Sequence, residues 1–549
     1  MDEDDPWSTD LSDVDGTSRP GLTSRGTRGN RGASMTDLVS DNMGYHAPQE
    51  GGQSGMGACV FNFVNSIVGA GIIGLPFALK ECGFFSGIFL LAAVALMVDY
   101  GVSVLIQCGR VTGKFDLTDL MEHYFGRRGF LACNLIMWVF AFGAMVAYLI
   151  IIGDTIPRVL VSWGWEGARR EIVIVICATF IILPLSLLRD MSMLAWSSLL
   201  SVGADVLISI IVAATASWEA ESQNITAATE VDPPYAVFRP SFAGGVGAIS
   251  FAFVCHHSSF IVHNTLKNPT KHRWAIVTHT SIVMAFSLCV LLATTGYGAF
   301  LSKTEGDVLN NWDDDGGLPT MTRILLALTM VFTYPMEHFV ARHVLFISLP
   351  CFKIGRSGAA TGKRRPDARV SARVSAGVSD EEGVEGVEGD GANGALAAAA
   401  SPTGGVTLEA AAEVAAPHPR MPFKLHLAVT LVQWAASVGL ALIFEDLGIV
   451  LELTGSVAAS ALGYIFPALC FFKLHEDEAR VLWRSVCGGG GGVVGWGARG
   501  GTFSKGRTCM RFLPPTLMLV FGSLLFVVGP ITSIMHVVKE GAGGNGTDV

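Results

Sequence analysis

The chain has 549 residues, 50% of them hydrophobic and 15% charged, with a mean hydropathy of +0.48, a balance that excludes a soluble globular protein. The formal charge of -10 comes mostly from acidic tails and loops, including MDEDD at the start, NNWDDDGG at 310–317 and SDEEGVEGVEGDG at 379–391; it gives no sign of nucleic acid as a partner. Apolar runs long enough for the roughly 20 residues a bilayer core requires recur along almost the whole length, so the expected class is an all-α polytopic membrane protein embedded in a lipid bilayer.

Residues 1–56 are polar and Gly/Ser-rich with no apolar h-region, so they read as a disordered cytosolic tail rather than a signal peptide. Spans are expected at about 58–79, 84–107, 129–155, 171–187, 193–217, 242–266, 274–301 and 319–345, which together fill 57–345. A low-complexity stretch follows at 346–421, first basic, then acidic, then Ala-rich, and reads as a disordered cytosolic insert. Two spans occupy 422–473, at about 422–444 and 447–472. A Gly-rich cytosolic loop covers 474–510, and an eleventh span at about 511–536 leads into an outer tail ending at 549. The eleven cysteines fall mostly inside spans without metal-like spacing, so they read as small buried hydrophobes.

With the N-terminus inside, 29 of the 37 Lys and Arg residues fall on inner segments, as the positive-inside rule asks. Arg158, Arg169 and Arg170 dissent on the outer side. The sequons at Asn224 and Asn545 both fall outside, where glycosylation is possible.

Two spans are broken. In the first, Gly69, Gly71, Gly74 and Pro76 interrupt the apolar run. In the sixth, Cys255, His256, His257, Ser258 and Ser259 stand in a row at mid-membrane, and five such residues cannot all face one side of a helix. An unsatisfied backbone group in hydrocarbon costs several kcal/mol, so interruptions persist only where they pack in protein or line a cavity. Small residues also let helices touch, which is the alternative for the glycines. If the chain is two inverted five-span repeats plus one extra helix, spans 1 and 6 correspond, and paired interrupted helices mark a transporter's binding site. Unwound backbone and half-helix ends there would hold a substrate's carboxylate and amine and a coupling cation.

FNFVNSIVGAGIIGLPFA (61–78), GDTIPRV (153–159), LPLSLLRD (183–190), SFAFVCHHSSF (250–260), LTMVFTYPMEHFVARHV (328–344) and GIVLELTGS (448–456) resemble the sodium-coupled neutral amino acid transporters of the amino acid/auxin permease superfamily, and within them the branch of the eleventh member. The resemblance implies eleven spans in the leucine-transporter-like fold, alternating access, and uptake of neutral amino acids coupled to sodium or protons, with sodium as coupling ion and no other cofactor. By position, Asn65 matches the family's sodium-linked asparagine of span 1. Thr329 is the nearest match to its threonine partner of span 8, with Thr333 competing. Several relatives join their two large outer loops by a disulfide; here 218–241 and 302–318 contain no cysteine.

Individual residues carry alternatives. Asn65 suits a cation because oxygen ligands suit hard cations, but a helix-to-helix hydrogen bond worth about 1 kcal/mol would also keep it. The substrate site is expected at Gly69, Ala70, Gly71, Tyr148, Cys255, His256, Ser258 and Ser259. His256, His257 and Asp205 are the candidates for a proton relay, against structural histidines and a packing tyrosine. A charge at mid-membrane costs about 2.5–3.5 kcal/mol on insertion scales, so Asp99, Asp205, Glu337 and Glu452 each need a reason; for Glu337 an ion pair with Arg342 is the simplest. GAGIIG at 69–74 matches a dinucleotide fingerprint only loosely, inside an apolar span with no preceding strand, and no nucleophile or metal constellation suggests an enzyme.

The leading function is therefore secondary active transport of neutral amino acids. An amino acid sensor using the same pocket, a proton-coupled carrier and a channel are the alternatives, and the sequence leaves open whether the membrane is the plasma membrane or a vacuolar or lysosomal one.

Overall fold

The computed structural model describes residues 54–188, 195–223, 225, 239, 241–312, 316–348, 421–480 and 505–543. The N-terminal tail up to 53, most of the 346–421 insert, most of the Gly-rich loop and both sequons, Asn224 and Asn545, lie outside them.

The first apolar segment is three helices, α1 (Met56–Ile67), α2 (Ala70–Ile73) and α3 (Leu75–Cys82). Pro76 sits in the first turn of α3, where its missing N–H has no intrahelical partner to lose. α4 (Phe84–Thr112) ends at Gly113 with φ 70°, a left-handed conformation that glycine adopts without a Cβ clash. α5 (Leu117–Ser162) begins at Asp116, whose carboxylate accepts from the Thr118 and Asp119 amides at 2.8 and 3.2 Å and so caps the helix. The sequence pattern starts this span at 129. The structure carries helix back to 117 because the cap nucleates a short arm, which Gly126 (φ 63°) then turns into the span.

The fourth segment comprises α6 (Arg170–Cys177), a π-helical turn at Ala178–Ile182, and α7 (Leu183–Ser186). The indole N–H of Trp434 donates to Ala178 O at 3.0 Å, giving that carbonyl a partner where the π register alters the ladder. Then follow α8 (Ala195–Ser222), α9 (Phe242–Ala252), α10 (His256–Thr265), α11 (Lys271–Phe300) and α12 (Gly317–Ser348). Beyond the insert come α13 (Phe423–Ile443), α14 (Leu447–Thr454), two π turns at Gly455–Ala459 and Ala461–Ile465, α15 (Phe466–Leu474) and α16 (Lys505–Gly543).

Among the described residues, nine helical stretches are long and apolar enough to cross a membrane. Phe89, Leu96, Phe180, Val432 and Leu524 point outward from different helices, as expected of a surface solvated by lipid tails. The eight described cysteines are all free and buried, in keeping with their reading as small hydrophobes. The longest helix pairing sets α5 antiparallel to α12: Arg127 Nη2 donates to Ser348 O at 3.2 Å near one end, and Thr320 Oγ1 meets Ser162 Oγ at 3.3 Å near the other.

Of the three arginines that depart from the expected charge distribution, Arg158 and Arg170 have structural partners. Arg170 Nε binds Asp154 Oδ1 at 2.8 Å and its Nη1 reaches Ala441 O at 3.2 Å. Arg158 Nη1 donates to Asn310 O at 2.9 Å. Among the described residues, Arg169 makes only an exposed contact with Glu171 at 3.7 Å.

The linker between α11 and α12 packs back onto the helices. Lys80 Nζ donates to Thr304 O at 3.0 Å, and Asp307 Oδ1 accepts from Leu309 N–H at 2.9 Å while Oδ2 is buried without a hydrogen-bond partner. Burial first, then the nearby Asp154 carboxylate, push the Asp307 carboxyl up to about 7, against the opposing pull of Arg158 and Arg323. A raised folded-state value means the folded linker holds a proton that the unfolded one releases. The docked linker is therefore favoured below the unfolded carboxyl value, near 4, and loses stability as pH rises from there to about 7. Protection factors across 301–312, which are exchange rates corrected for the intrinsic base-catalysed rise with pH, should be higher at pH 6 than at pH 8, and Asp307→Asn should remove that difference. Equal protection factors at both pH values in the unsubstituted protein would show that Asp307 is not the controlling group.

Candidate functional site

Two interruptions face each other. Val68 N–H closes α1 on Val64 O at 2.8 Å, and the chain re-enters helix with Ile72 N–H on Gly69 O at 3.1 Å. The partner break is Phe253–Val254–Cys255, between α9 and α10. A Cβ at Gly71 would lie 2.6 Å from Ala252 Cα, whereas one at Gly69 would meet nothing within 4 Å. The two glycines thus do different work: Gly71 lets α2 touch the end of α9, and Gly69 borders open space. Gly74 also packs, with its Cβ direction filled by Leu451 Cδ1 at 2.4 Å. Ala70 opens α2 beside the first break.

The row 255–259 divides by direction. Cys255 is buried at the break and its carbonyl accepts from Ser258 N–H at 3.1 Å and Ser258 Oγ at 2.9 Å. Ser259 Oγ donates to His256 O at 2.7 Å. Both hydroxyls therefore satisfy backbone that the break exposes. The buried His256 imidazole fits a slot between α4 and the second π turn: Cβ directions at Gly101 and Gly463 meet its Nε2 at 2.8 Å and its Cε1 at 3.5 Å. Among the described residues, neither of its ring nitrogens has a hydrogen-bond partner. His257 points another way, half-buried, with its ring 5.2 Å from that of Phe140 on α5.

Asn65 stands half-buried in the last turn of α1. Thr329, buried on α12, donates its hydroxyl to Leu325 O at 3.0 Å, and Thr333 does the same to Thr329 O at 2.7 Å. Each hydroxyl keeps lone pairs that a cation can use. α8 packs against both α1 and α12, so it is the wall shared by the two candidate sodium residues.

The intramembrane charges resolve differently from one another. Asp99 is bonded to His279 Nδ1 at 2.8 Å. Glu452 accepts from Ser533 Oγ at 3.3 Å. The expected Glu337–Arg342 pair is not what holds Arg342: its guanidinium donates to Ser186 O and Thr430 Oγ1, both at 2.9 Å. These acceptors lie on neighbouring helices, whereas Glu337 Oε2 is enclosed without a partner. Asp205 is 1% exposed, and among the described residues neither of its carboxyl oxygens has a hydrogen-bond partner. Tyr148 is buried on α5.

Sequence reasoning passed over the inner closure of these helices. Ser54, just before α1, pairs with the end of α10 through Ser54 N–H to Thr265 O and Lys267 N–H to Ser54 O, both 2.9 Å. Ser281 Oγ ties α11 to Val60 O at 3.1 Å. It also missed His338, buried with both ring nitrogens unpartnered, whose ring packs on Tyr334 at 5.8 Å; a histidine inside an apolar span was the available signal.

Residues 52–487 match the family described as transmembrane amino acid transporter protein. The chain belongs to this family. A curated relative, "Putative sodium-coupled neutral amino acid transporter 11" of Rattus norvegicus, is 32% identical over 435 residues, covering 78% of this chain and 80% of the relative. Vacuolar amino acid transporter 2 of Saccharomyces cerevisiae is 32% identical over 305 residues, covering 53% of this chain and 62% of that protein. Among solved structures, a manganese transporter of Eremococcus coleocola aligns over 91% of this chain and 96% of its own at 12% identity, with a TM-score of 0.39. The protein is thus an integral multi-pass membrane transporter and not an enzyme, and the likeness to the branch of the eleventh member holds across most of its length.

Proposed function

We propose that the transporter moves neutral amino acids by alternating access, with sodium as the coupling ion, through eleven spans arranged as two inverted five-helix repeats and one extra helix. The paired breaks at Val68–Gly69 and Phe253–Cys255 carry the reading. They end the helical ladder at the C-terminus of α1 and restart it at the N-terminus of α10, where Val64 O and Ser258 N–H find local partners and the neighbouring end groups have no intrahelical ones. Those ends attract an ammonium or cation and a carboxylate, respectively. Gly69 leaves room beside them, and His257 and Tyr148 project from adjoining helices. The count of eleven takes the nine long stretches together with the broken segments 56–82 and 170–186.

Asn65 and Thr329 are the proposed sodium ligands. Purified protein in proteoliposomes should accumulate radiolabelled neutral amino acids under an inward sodium gradient, and Asn65→Ala should raise the sodium concentration giving half-maximal uptake by about tenfold, the loss of roughly 1.4 kcal/mol of ligation. Unchanged sodium dependence at normal reconstitution would remove Asn65 from the site. Uptake that never exceeds equilibrium would point to a channel, and binding without uptake to a sensor. The vacuolar name of the yeast relative supports an acidic endomembrane compartment, and with it proton coupling, as the second reading.

A further inference from the structure

A second polar cluster lies away from the paired breaks, in the seam between α12 and α13. Two hydrogen bonds cross that seam. Tyr334 Oη and Ser437 Oγ are 2.7 Å apart, and Arg342 Nη1 donates to Thr430 Oγ1 at 2.9 Å. Residue numbers rise on α12 from the first bond to the second and fall on α13, so the helices are antiparallel and the two bonds fix one register.

Within that register two further polar side chains meet. His338 is four residues from Tyr334, and Gln433 is four from Ser437, so each lies one turn, about 6 Å, from the Tyr334–Ser437 bond and on the same side of it. Steps of three or four residues also keep to one helix face. His338 therefore shares the stripe of Tyr334 and Arg342, and Gln433 shares that of Thr430 and Ser437. The His338 ring stands edge-on to the Tyr334 ring, with centroids 5.8 Å apart.

His338 is 0% exposed and Gln433 3% exposed. Among the described residues, neither ring nitrogen of His338 and neither amide atom of Gln433 has a hydrogen-bond partner. The neighbouring polar groups of the seam are engaged. His426 meets Leu187 O at 3.2 Å, and Trp434, next to Gln433, donates to Ala178 O at 3.0 Å. Two complementary side chains thus face each other at one level of a dry interface, each with its donors and acceptors unused.

The chemistry of these four atoms selects the occupant. A neutral imidazole offers one donor and one acceptor, and a primary amide offers two donors and a carbonyl oxygen. A direct bond would use one atom of each and leave the other two buried without partners, a condition native interiors avoid. A cation would be opposed by the ring and amide N–H groups, and an anion by the carbonyl oxygen and the bare ring nitrogen. Water both donates and accepts, and a buried water typically makes about three hydrogen bonds to groups otherwise unsatisfied.

We infer that His338 and Gln433 hold at least one buried water molecule, which bridges α12 to α13 between the Tyr334–Ser437 and Arg342–Thr430 bonds. The water is the middle rung of a three-rung joint. That joint seats α12, the helix of Thr329 and Thr333, on α13, and through Trp434 on the π turn of the fourth segment.

The test is radiolytic labelling of the full chain in proteoliposomes. A brief X-ray pulse makes hydroxyl radicals from water wherever it is bound, these oxidise the side chains beside it, and mass spectrometry locates the added oxygen. Tyr334 is fully buried and should nonetheless be oxidised, together with His338. Phe300, equally buried and packed on Trp312 at 4.9 Å, should not. Replacing both polar groups by apolar ones of similar shape, His338→Phe with Gln433→Met, should abolish the Tyr334 label. Each single substitution should lower the thermal midpoint by several degrees, because it orphans the other group, and the double variant should recover much of that loss. An unlabelled Tyr334 in the unsubstituted protein would overturn the water site even if no variant folds. A label that persists in the double variant, or midpoint losses that simply add, would overturn the bridge between His338 and Gln433.

Discussion

Gly455→Ala is expected to prevent the folded transporter from accumulating. A Cβ at residue 455 would lie 1.8 Å from Gly247 O and 2.6 Å from Gly247 C, so it collides with backbone rather than with a side chain that can turn away. At the same crossing a Cβ at Gly247 would lie 2.5 Å from Glu452 O, and one at Gly244 would lie 2.5 Å from Glu452 Oε2. α9 therefore lies backbone to backbone on the start of the first π turn. One methyl group would force the two helices apart and open the packing on both sides, at a cost above the roughly 1–3 kcal/mol usual for overpacking. The control is Gly439→Ala on α13, where a Cβ meets nothing within 4 Å; helix propensity alone should leave it neutral or up to about 1 kcal/mol more stable. Monodisperse yield on size exclusion and the thermal midpoint in detergent report both. A Gly455→Ala protein with normal yield and midpoint would show that this crossing is looser than described.

Arg170→Met should destabilise the fold by about 3 kcal/mol, the low end for removing one partner of a mostly buried ion pair. The Arg170 and Asp154 side chains are 19% and 13% exposed. Without the guanidinium, Asp154 keeps a charge with its nearest cation gone, and Ala441 O and Phe444 O lose a donor. The substitution thus loosens α6, α5 and the end of α13 together. Adding Asp154→Asn should recover part of the loss, because the stranded charge then disappears; a double variant no better than Arg170→Met would assign the cost to the two carbonyl contacts instead. Thermal midpoints of the three proteins in detergent decide between these outcomes.

The two breaks were legible in the sequence because their signals are local. Glycine, proline and consecutive polar residues inside an apolar run conflict with an uninterrupted membrane helix wherever they stand, and the observed gaps fall at Gly69 and just before His256. The direction of each side chain was not legible. Adjacent residues on a helix point about 100° apart, so His256 and His257, alike in sequence, part company: one fills a slot between Gly101 and Gly463, the other lies tilted against Phe140. The spacing of Glu337 and Arg342 suggested a pair, yet Ser186 and Thr430 on other helices hold the arginine. Similarly, nothing local distinguishes Gly69, beside open space, from Gly71, pressed on Ala252.

By itself, then, the sequence determined the solvent and the punctuation of this protein: an all-helical chain in a bilayer, the approximate ends of its spans, and the positions where helix must stop. Each of those follows from one segment meeting hydrocarbon or water, with no other segment required. Only the tertiary structure decided which glycines are contacts, which buried carboxyls have partners, and what Arg158 and Arg170 bind. Those properties belong to pairs of groups far apart in the chain, such as Gly247 with Gly455 or Ser186 with Arg342. They arise when close packing fixes which faces meet, and helical periodicity alone does not say which neighbour a face will find.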